Sequence, residues 1–201
     1  NQYFKKQNMK RKNLSAKKII HNFYLEKLKN PKIRKIYFKF KKNLKKYKFN
    51  KFCVALSGGS DSLALAFLSK CFSIEENTQI YFCTVDHKLR PESSREAKKT
   101  RKNLKKFGIN CETLNLVKKN INSNIQSKAR KGRYDLIIQK CNKKKITFIL
   151  TGHHKNDLYE NFFIRLFRGS GLKGLSSFSK TKSNLKKNNN VHILRPLLNV
   201  S

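Results

Sequence analysis

Acidic residues are scarce in this 201-residue chain: 11 Asp and Glu stand against 48 Lys and Arg, leaving a formal net charge of +37. An acidic, self-solvating protein is excluded, and a polyanion becomes the natural partner. Long apolar runs are also missing, so no stretch reaches the length of a membrane span, and the basic N-terminus has no apolar centre of the signal-peptide kind. The five cysteines, Cys53, Cys71, Cys83, Cys111 and Cys141, form no CxxC and have no histidine at zinc-ligand spacing. They read as small reduced core residues of a cytoplasmic protein. Neither the GxxxxGK[ST] phosphate loop nor the GxSxG nucleophile elbow occurs.

The excess of lysine has a bland explanation, because Lys, Asn and Ile all accumulate under A/T-biased coding. Arginine is more informative, since that bias works against most of its codons. Eight of the ten arginines lie at or after Arg90, several beside the motifs below. They are better evidence for phosphate contacts than the general basicity.

Phe52–Ser62, FCVALSGGSDS, organises what is present. A short apolar run with the character of a buried strand breaks at Gly58-Gly59 and passes into an apolar helix beginning near Ser62. Such a turn aims backbone N–H groups and the positive end of a helix dipole at one spot, which suits an anion. Ser57, Ser60 and Ser62 add hydroxyls, and Gly58 and Gly59 allow close approach. A plain turn would leave Asp61 unexplained. An acid beside a bound phosphate makes sense with Mg²⁺ between them.

Before the loop, residues 1–51 carry one acid, Glu26, and two sets of apolar residues at helical spacing separated by Pro31, so two basic amphipathic helices are expected. After it, strands are expected at Gln79–Val85, Cys111–Val117, Ile146–Leu150 and Val191–Leu194. Helices are expected at Pro91–Phe107, opened by a Ser93/Glu96 capping box, from Ser123 through Ile138, and at Asp157–Phe167. The segment 180–190 reads as a flexible polar linker. Alternating strands and helices predict an α/β fold: a doubly wound, mostly parallel five-stranded sheet with helices on both faces. The domain reading is a basic helical extension over 1–51 and a catalytic domain over 52–201. Asn1 at the start and the apolar ending LRPLLNVS create the expectation that the chain continues at its ends.

Only four aspartates occur: Asp61, Asp86, Asp135 and Asp157. Asp61, Asp86 and Asp157 each follow the C-terminal end of a predicted strand, and in a parallel sheet those ends share one edge. Asp135, mid-helix beside Arg133, reads as a surface pair. His87, His153 and His154 are expected at the same edge, where three imidazoles favour contact with phosphate or base over purely structural roles.

SGGSDS (Ser57–Ser62) resembles the pyrophosphate loop of the N-type ATP pyrophosphatases, which have the adenine nucleotide alpha hydrolase-like fold. VDHKLRPES (Val85–Ser93), ARKGRY (Ala129–Tyr134), the long TGHHKNDLYENFFIRLFRGSGLKGLSSF stretch (Thr151–Phe178) and RPLL (Arg195–Leu198) narrow the resemblance to the tRNA(Ile)-lysidine synthetases. That resemblance implies ATP as co-substrate and Mg²⁺ held by Asp61. ATP adenylates C2–O of the wobble cytidine in the isoleucine tRNA with a CAU anticodon, and free L-lysine then displaces AMP. Ser57, Gly58, Gly59, Ser60, Asp61, Ser62, Asp86 and His87 would bind ATP. Asp61, Arg130 and Asp157 would be catalytic, and Arg90, His153, His154, Arg165, Arg168 and Gly169 would meet lysine or tRNA. A cytoplasmic location follows, with no membrane partner, and a homodimer is compatible with it.

The chain departs from the family where two acids usually precede the apolar helix: Asn156 and Asp157 stand there, which leaves one carboxylate. Rival readings remain: a tRNA cytidine 2-thiolation enzyme, which needs paired cysteines; an amidating pyrophosphatase acting on a small metabolite; and a non-catalytic basic RNA-binding module.

Overall fold

Strand β1 (Lys51–Leu56) lies at the centre of the molecule because its side chains are buried on both faces. Phe52, Val54 and Leu56 point to one side and Cys53 to the other, as the two-residue period of a strand requires. The computed structural model describes residues 18–48, 50–88, 91–116, 125–167, 182–184, 190–198 and 200. Within them, α3 (Ser60–Glu76), β2 (Gln79–Asp86), α4 (Pro91–Lys106), β3 (Cys111–Asn115), α5 (Ile125–Lys143), β4 (Phe148–Thr151), α6 (Lys155–Phe167), β5 (Lys182–Asn184) and β6 (His192–Leu194) follow β1. They are preceded by α1 (18–28) and α2 (Pro31–Leu44).

The sheet order is β3-β2-β1-β4-β6-β5. The five expected strands are β1, β2, β3, β4 and β6, and all pair in parallel. The segment expected as a linker contributes β5, an antiparallel edge strand on β6 with Ser183 opposite Ile193. Its polar sequence carries no alternating apolar signal, because an edge strand needs only backbone pairing along one side. From β1 the chain winds outward through β2 to β3, then returns to place β4 on the other flank of β1. The strand order therefore reverses between β1 and β4, and a crevice opens at the carboxyl ends of those two strands.

Each face of the sheet is covered. On one side Tyr24, Tyr37, Phe40, Leu44, Leu65, Phe72 and Leu104 pack over Phe52, Val54 and Leu150. On the other, Ile137, Ile138 and Cys141 of α5 pack over Cys53, Cys83 and Ile149. All five cysteines are free and buried, and burial pushes the Cys53 thiol well above its usual range. The N-terminal helices belong to this packing. Asn30 caps α2 by accepting from Lys32 and Ile33 N–H, with Pro31 at the first helical position. Tyr24 donates from its hydroxyl to Phe107 O at 2.8 Å, and the Tyr37 hydroxyl meets Glu75 at 2.7 Å. The boundary expected at residue 52 is thus not marked by any break in the core. Among the described residues, no helix is long and apolar enough to cross a membrane.

Candidate active site

The turn after β1 is held in shape by one side chain. Ser62 Oγ accepts from Gly58 N–H at 3.0 Å and donates to Gly59 O at 2.8 Å. Its only proton is spent inside the loop, so it shapes the turn, while Ser57 and Ser60 stay exposed. Gly59 caps α3 without a side-chain hydrogen bond, and the first N–H groups of the helix remain available to an incoming anion. Gly58 has φ +91°, and a Cβ there would lie 2.4 Å from Thr100 Oγ1 of α4. Gly58→Ala should therefore lower stability by about 1–3 kcal/mol through backbone strain alone, and should weaken nucleotide binding. Adding Thr100→Ala would relieve the clash but not the strain. An unchanged denaturation midpoint in Gly58→Ala would contradict this account of the turn.

The loop after β4 closes against the turn after β1. A Cβ on Gly152 would come within 3.1 Å of Ser62 N, so the two backbones touch at the point where strand order reverses. This contact delivers His153, His154 and Asp157 to the first turn of α3, where Asp61 sits. Asp157 Oδ2 accepts from His154 N–H at 2.8 Å, which caps the start of α6. His154 Nδ1 accepts from Asn156 N–H at 3.2 Å, so in the neutral ring Nε2 carries the proton. That Nε2 lies 3.3 Å from Asp61 Oδ2 and 3.8 Å from Asp157 Oδ1, so the imidazole sits between the two carboxylates.

A cavity of about 220 Å³ opens beside this arrangement, lined by Ser57, Gly59, Asp61, Arg133, His153 and Asp157 among others. His153 Nδ1 lies 2.9 Å from Thr151 Oγ1. Burial first, then the positive charges of Arg195 and Arg130, lower the His153 pKa to about 4 against the opposing pull of Asp157. The ring is neutral at pH 7, able to donate or accept a hydrogen bond without adding charge. Helix α5 lines the cavity with Arg133 and Tyr134, and the Arg133 and Arg130 guanidinium carbons lie 5.3 Å and 5.9 Å from the Tyr134 ring centroid.

Asp86 does not join the other two aspartates at the cavity. Its carboxylate is buried and accepts from Lys88 N–H at 3.0 Å, Ser93 Oγ at 2.9 Å and Ser94 Oγ at 2.5 Å. These bonds hold Lys88 in the left-handed region at φ +50° and anchor the first turn of α4 to the end of β2. Ser93, expected to open a capping box with Glu96, lies inside α4, which begins at Pro91, and its hydroxyl donates to Asp86. Burial and the nearby Arg133 charge lower the pKa of His87, whose Nδ1 is buried with no hydrogen-bond partner among the described residues. Arg90, Arg168 and Gly169, the Arg165 side chain, and Ser123 of the second capping box lie outside the described residues.

Arg133 and Tyr134 line the cavity, whereas the sequence alone reads Arg133 as a helix-surface charge. The available signal was spacing: Arg133 follows Arg130 by three residues, which sets both on one side of a helix.

A glycine turn and a helix N-terminus at the switch point of a parallel sheet, flanked by carboxylates and arginines, are the features of an α/β domain with an anion-binding crevice. The family model described as a PP-loop domain matches residues 32–201, and the chain belongs to that family. The match begins inside α2, consistent with the packing of that helix into the core.

Over 151 residues, 75% of this chain, it is 44% identical to the tRNA(Ile)-lysidine synthase of Orientia tsutsugamushi (strain Boryong), of which it covers 33%. Over 169 residues, 82% of this chain, it is 38% identical to the tRNA(Ile)-lysidine synthase of Rickettsia bellii (strain OSU 85-389), of which it covers 38%. The chain spans about a third of the length of these curated relatives. Among solved structures, the U34-tRNA thiolase NcsA from Methanococcus maripaludis with its 4Fe–4S cluster has the same fold. The TM-score is 0.66 at 21% identity, covering 83% of this chain and 59% of that one.

Proposed function

We propose that this chain carries the ATP-dependent chemistry of a tRNA(Ile)-lysidine synthetase. The carrying observation is the joining of the β1 and β4 loops, which brings Asp61, His154 and Asp157 beside a glycine turn built for phosphate. The identity to lysidine synthases over three quarters of the chain or more supports the substrate.

In this reading ATP lays its phosphates on Gly58, Gly59, Ser60 and the first N–H groups of α3, with Ser57 as a hydroxyl donor. C2–O of the wobble cytidine attacks the α-phosphorus in line, and the bond to the β-phosphate oxygen breaks to release pyrophosphate. The ε-amine of free lysine then attacks C2, and AMP departs with the C2 oxygen. Arg133, Arg130 and the helix N-terminus oppose the charge that develops on phosphate. Neutral His153 offers a hydrogen bond at the cavity wall. His154 acts as a positioning residue that sets the spacing of the two carboxylates.

Asp61 and Asp157 form an all-oxygen donor pair at the mouth of the phosphate turn, and that set suits Mg²⁺, which is commonly held by one or two carboxylates plus phosphates. Asp61 would hold the ion with help from Asp157, and the ion would neutralise phosphate charge.

The test measures pyrophosphate and AMP release by the chain with ATP and CAU-anticodon isoleucine tRNA, with or without lysine. AMP release should require both tRNA and lysine, and mass spectrometry of the product should show lysine added to cytidine. If omitting lysine made no difference while ammonia or a sulfur donor supported AMP release, an amidating or thiolating reaction would replace this one.

A further inference from the structure

A large concavity lies away from the phosphate turn. It is a groove of about 810 Å³ between α4 and the N-terminal parts of β2 and β3. Four cations, Lys98, Arg101, Lys102 and Lys105, line it. Their spacing sets them along one side of α4 over about 10 Å, while Ala97, Thr100 and Leu104 are buried against the sheet. All four are exposed, and among the described residues none is in an ion pair.

Glu112 borders the groove but turns its carboxylate to the other face of the sheet, toward α5. Glu112 accepts from the Tyr81 hydroxyl at 2.9 Å and pairs with Lys140 of α5. Burial pushes its pKa up, but those partners outweigh burial and hold the carboxyl below its usual range. The groove therefore presents concentrated positive charge between walls of lower dielectric, an arrangement that focuses field on a chain of anions.

We infer that this groove is a second RNA-contact surface, which seats a run of phosphodiesters outside the segment undergoing chemistry. From Phe82, in the groove, to Asp86, at the strand's carboxyl end, is four residues, or about 13 Å. An RNA whose reacting base enters the crevice at the carboxyl ends of the strands would thus have neighbouring backbone within reach of α4. Guarding of the edge strand β3 by surface lysines is the competing explanation. It accounts for cations beside an edge but not for four of them lining one concavity from which the neighbouring carboxylate is turned away. The inference rests on the tRNA reading only for which RNA is bound, since phosphate is what the groove recognises.

The experiment compares Lys98→Ala/Arg101→Ala/Lys102→Ala/Lys105→Ala with a control of equal charge loss on other surfaces, Lys32→Ala/Lys35→Ala/Lys42→Ala/Lys48→Ala. Binding of a tRNA transcript is measured by fluorescence anisotropy across a salt series, and thermal melting checks the fold of both variants. The groove variant should bind about tenfold or more weakly, and its salt slope should shrink by about 3, as expected for four lost phosphate contacts. The control should change the slope by less than about 1. Equal losses in the two variants, or an unchanged slope in the groove variant, would overturn the inference. Lys102→Glu alone serves as a second groove variant, in which RNA affinity should fall with the melting temperature retained. Because RNA binding is read without lysine or ATP turnover, failure of the lysidine chemistry would leave this result standing, and the reverse also holds.

Discussion

Asp61→Asn should reduce ATP- and tRNA-dependent pyrophosphate release by about 10²–10³ or more, the range seen when a charge-stabilising group is removed from an active site. Asparagine keeps the size of the side chain and an oxygen that can accept from His154 Nε2–H, so the 3.3 Å link between the loops need not break. What disappears is a negative charge at the mouth of the phosphate turn, and with it the hard anionic oxygen that suits Mg²⁺. tRNA affinity should stay nearly the same, because Asp61 contributes no positive charge to RNA. The melting temperature should also hold, since a half-exposed charge in the first turn of α3 contributes only a few tenths to about 1 kcal/mol to the helix. Steady-state assays at saturating tRNA, with parallel binding and melting curves, separate these effects. Activity within about threefold of the unsubstituted chain would remove Asp61 from the catalytic machinery.

Asp86→Ala is expected to have the largest effect on stability, about 2–4 kcal/mol, although Asp86 looks in the sequence like a third member of the acidic site. Its carboxylate is the shared acceptor for Lys88 N–H and the hydroxyls of Ser93 and Ser94. Removing it takes the shared acceptor from three part-buried bonds and frees the first turn of α4. That helix carries Thr100, which packs on Gly58, so loosening of the phosphate turn should follow.

A pH series provides an independent check. Burial raises the Asp86 pKa, but the bonds from Ser94, Lys88 and Ser93 and the Lys88 charge outweigh burial and hold it below the ordinary carboxylate value. The unfolded chain then binds the proton more readily than the folded one, so the contribution of Asp86 is complete above about pH 4 and is lost as pH falls through the depressed folded value. Denaturant unfolding from pH 7 downward should show the gap between the unsubstituted chain and Asp86→Asn shrinking only below about pH 4. A gap that stayed constant to pH 2.5 would mean that the buried carboxylate does not titrate as described.

The contrast between Asp61 and Asp86 shows where reading the chain stops. Both stand at or just after the carboxyl end of a strand, and both are rare acids in a basic chain. Strand position sends them to the same edge of the sheet, and that much is legible from periodicity. Which way each side chain turns depends on what packs beside it. Asp86 meets two hydroxyls because α4 begins at Pro91 and brings Ser93 and Ser94 back over β2. Asp61 meets His154 because the β4 loop crosses to α3 at Gly152. The β5 edge strand was illegible for a related reason: its pairing with β6 is made by backbone groups, which every residue carries and no side-chain pattern announces.

Local composition was sufficient for the parallel α/β fold, the glycine turn and the expectation of a phosphate ligand. Buried strands, capped helices and a strand–turn–helix anion site are dictated by neighbours within about ten residues. The reversal of strand order between β1 and β4, the coupling of Asp61 to Asp157 through His154, the diversion of Asp86 into an anchor, and the basic groove along α4 all join residues distant in sequence. Their geometry is set by how helices pack across the sheet, a property of the whole core that no single stretch of the chain encodes.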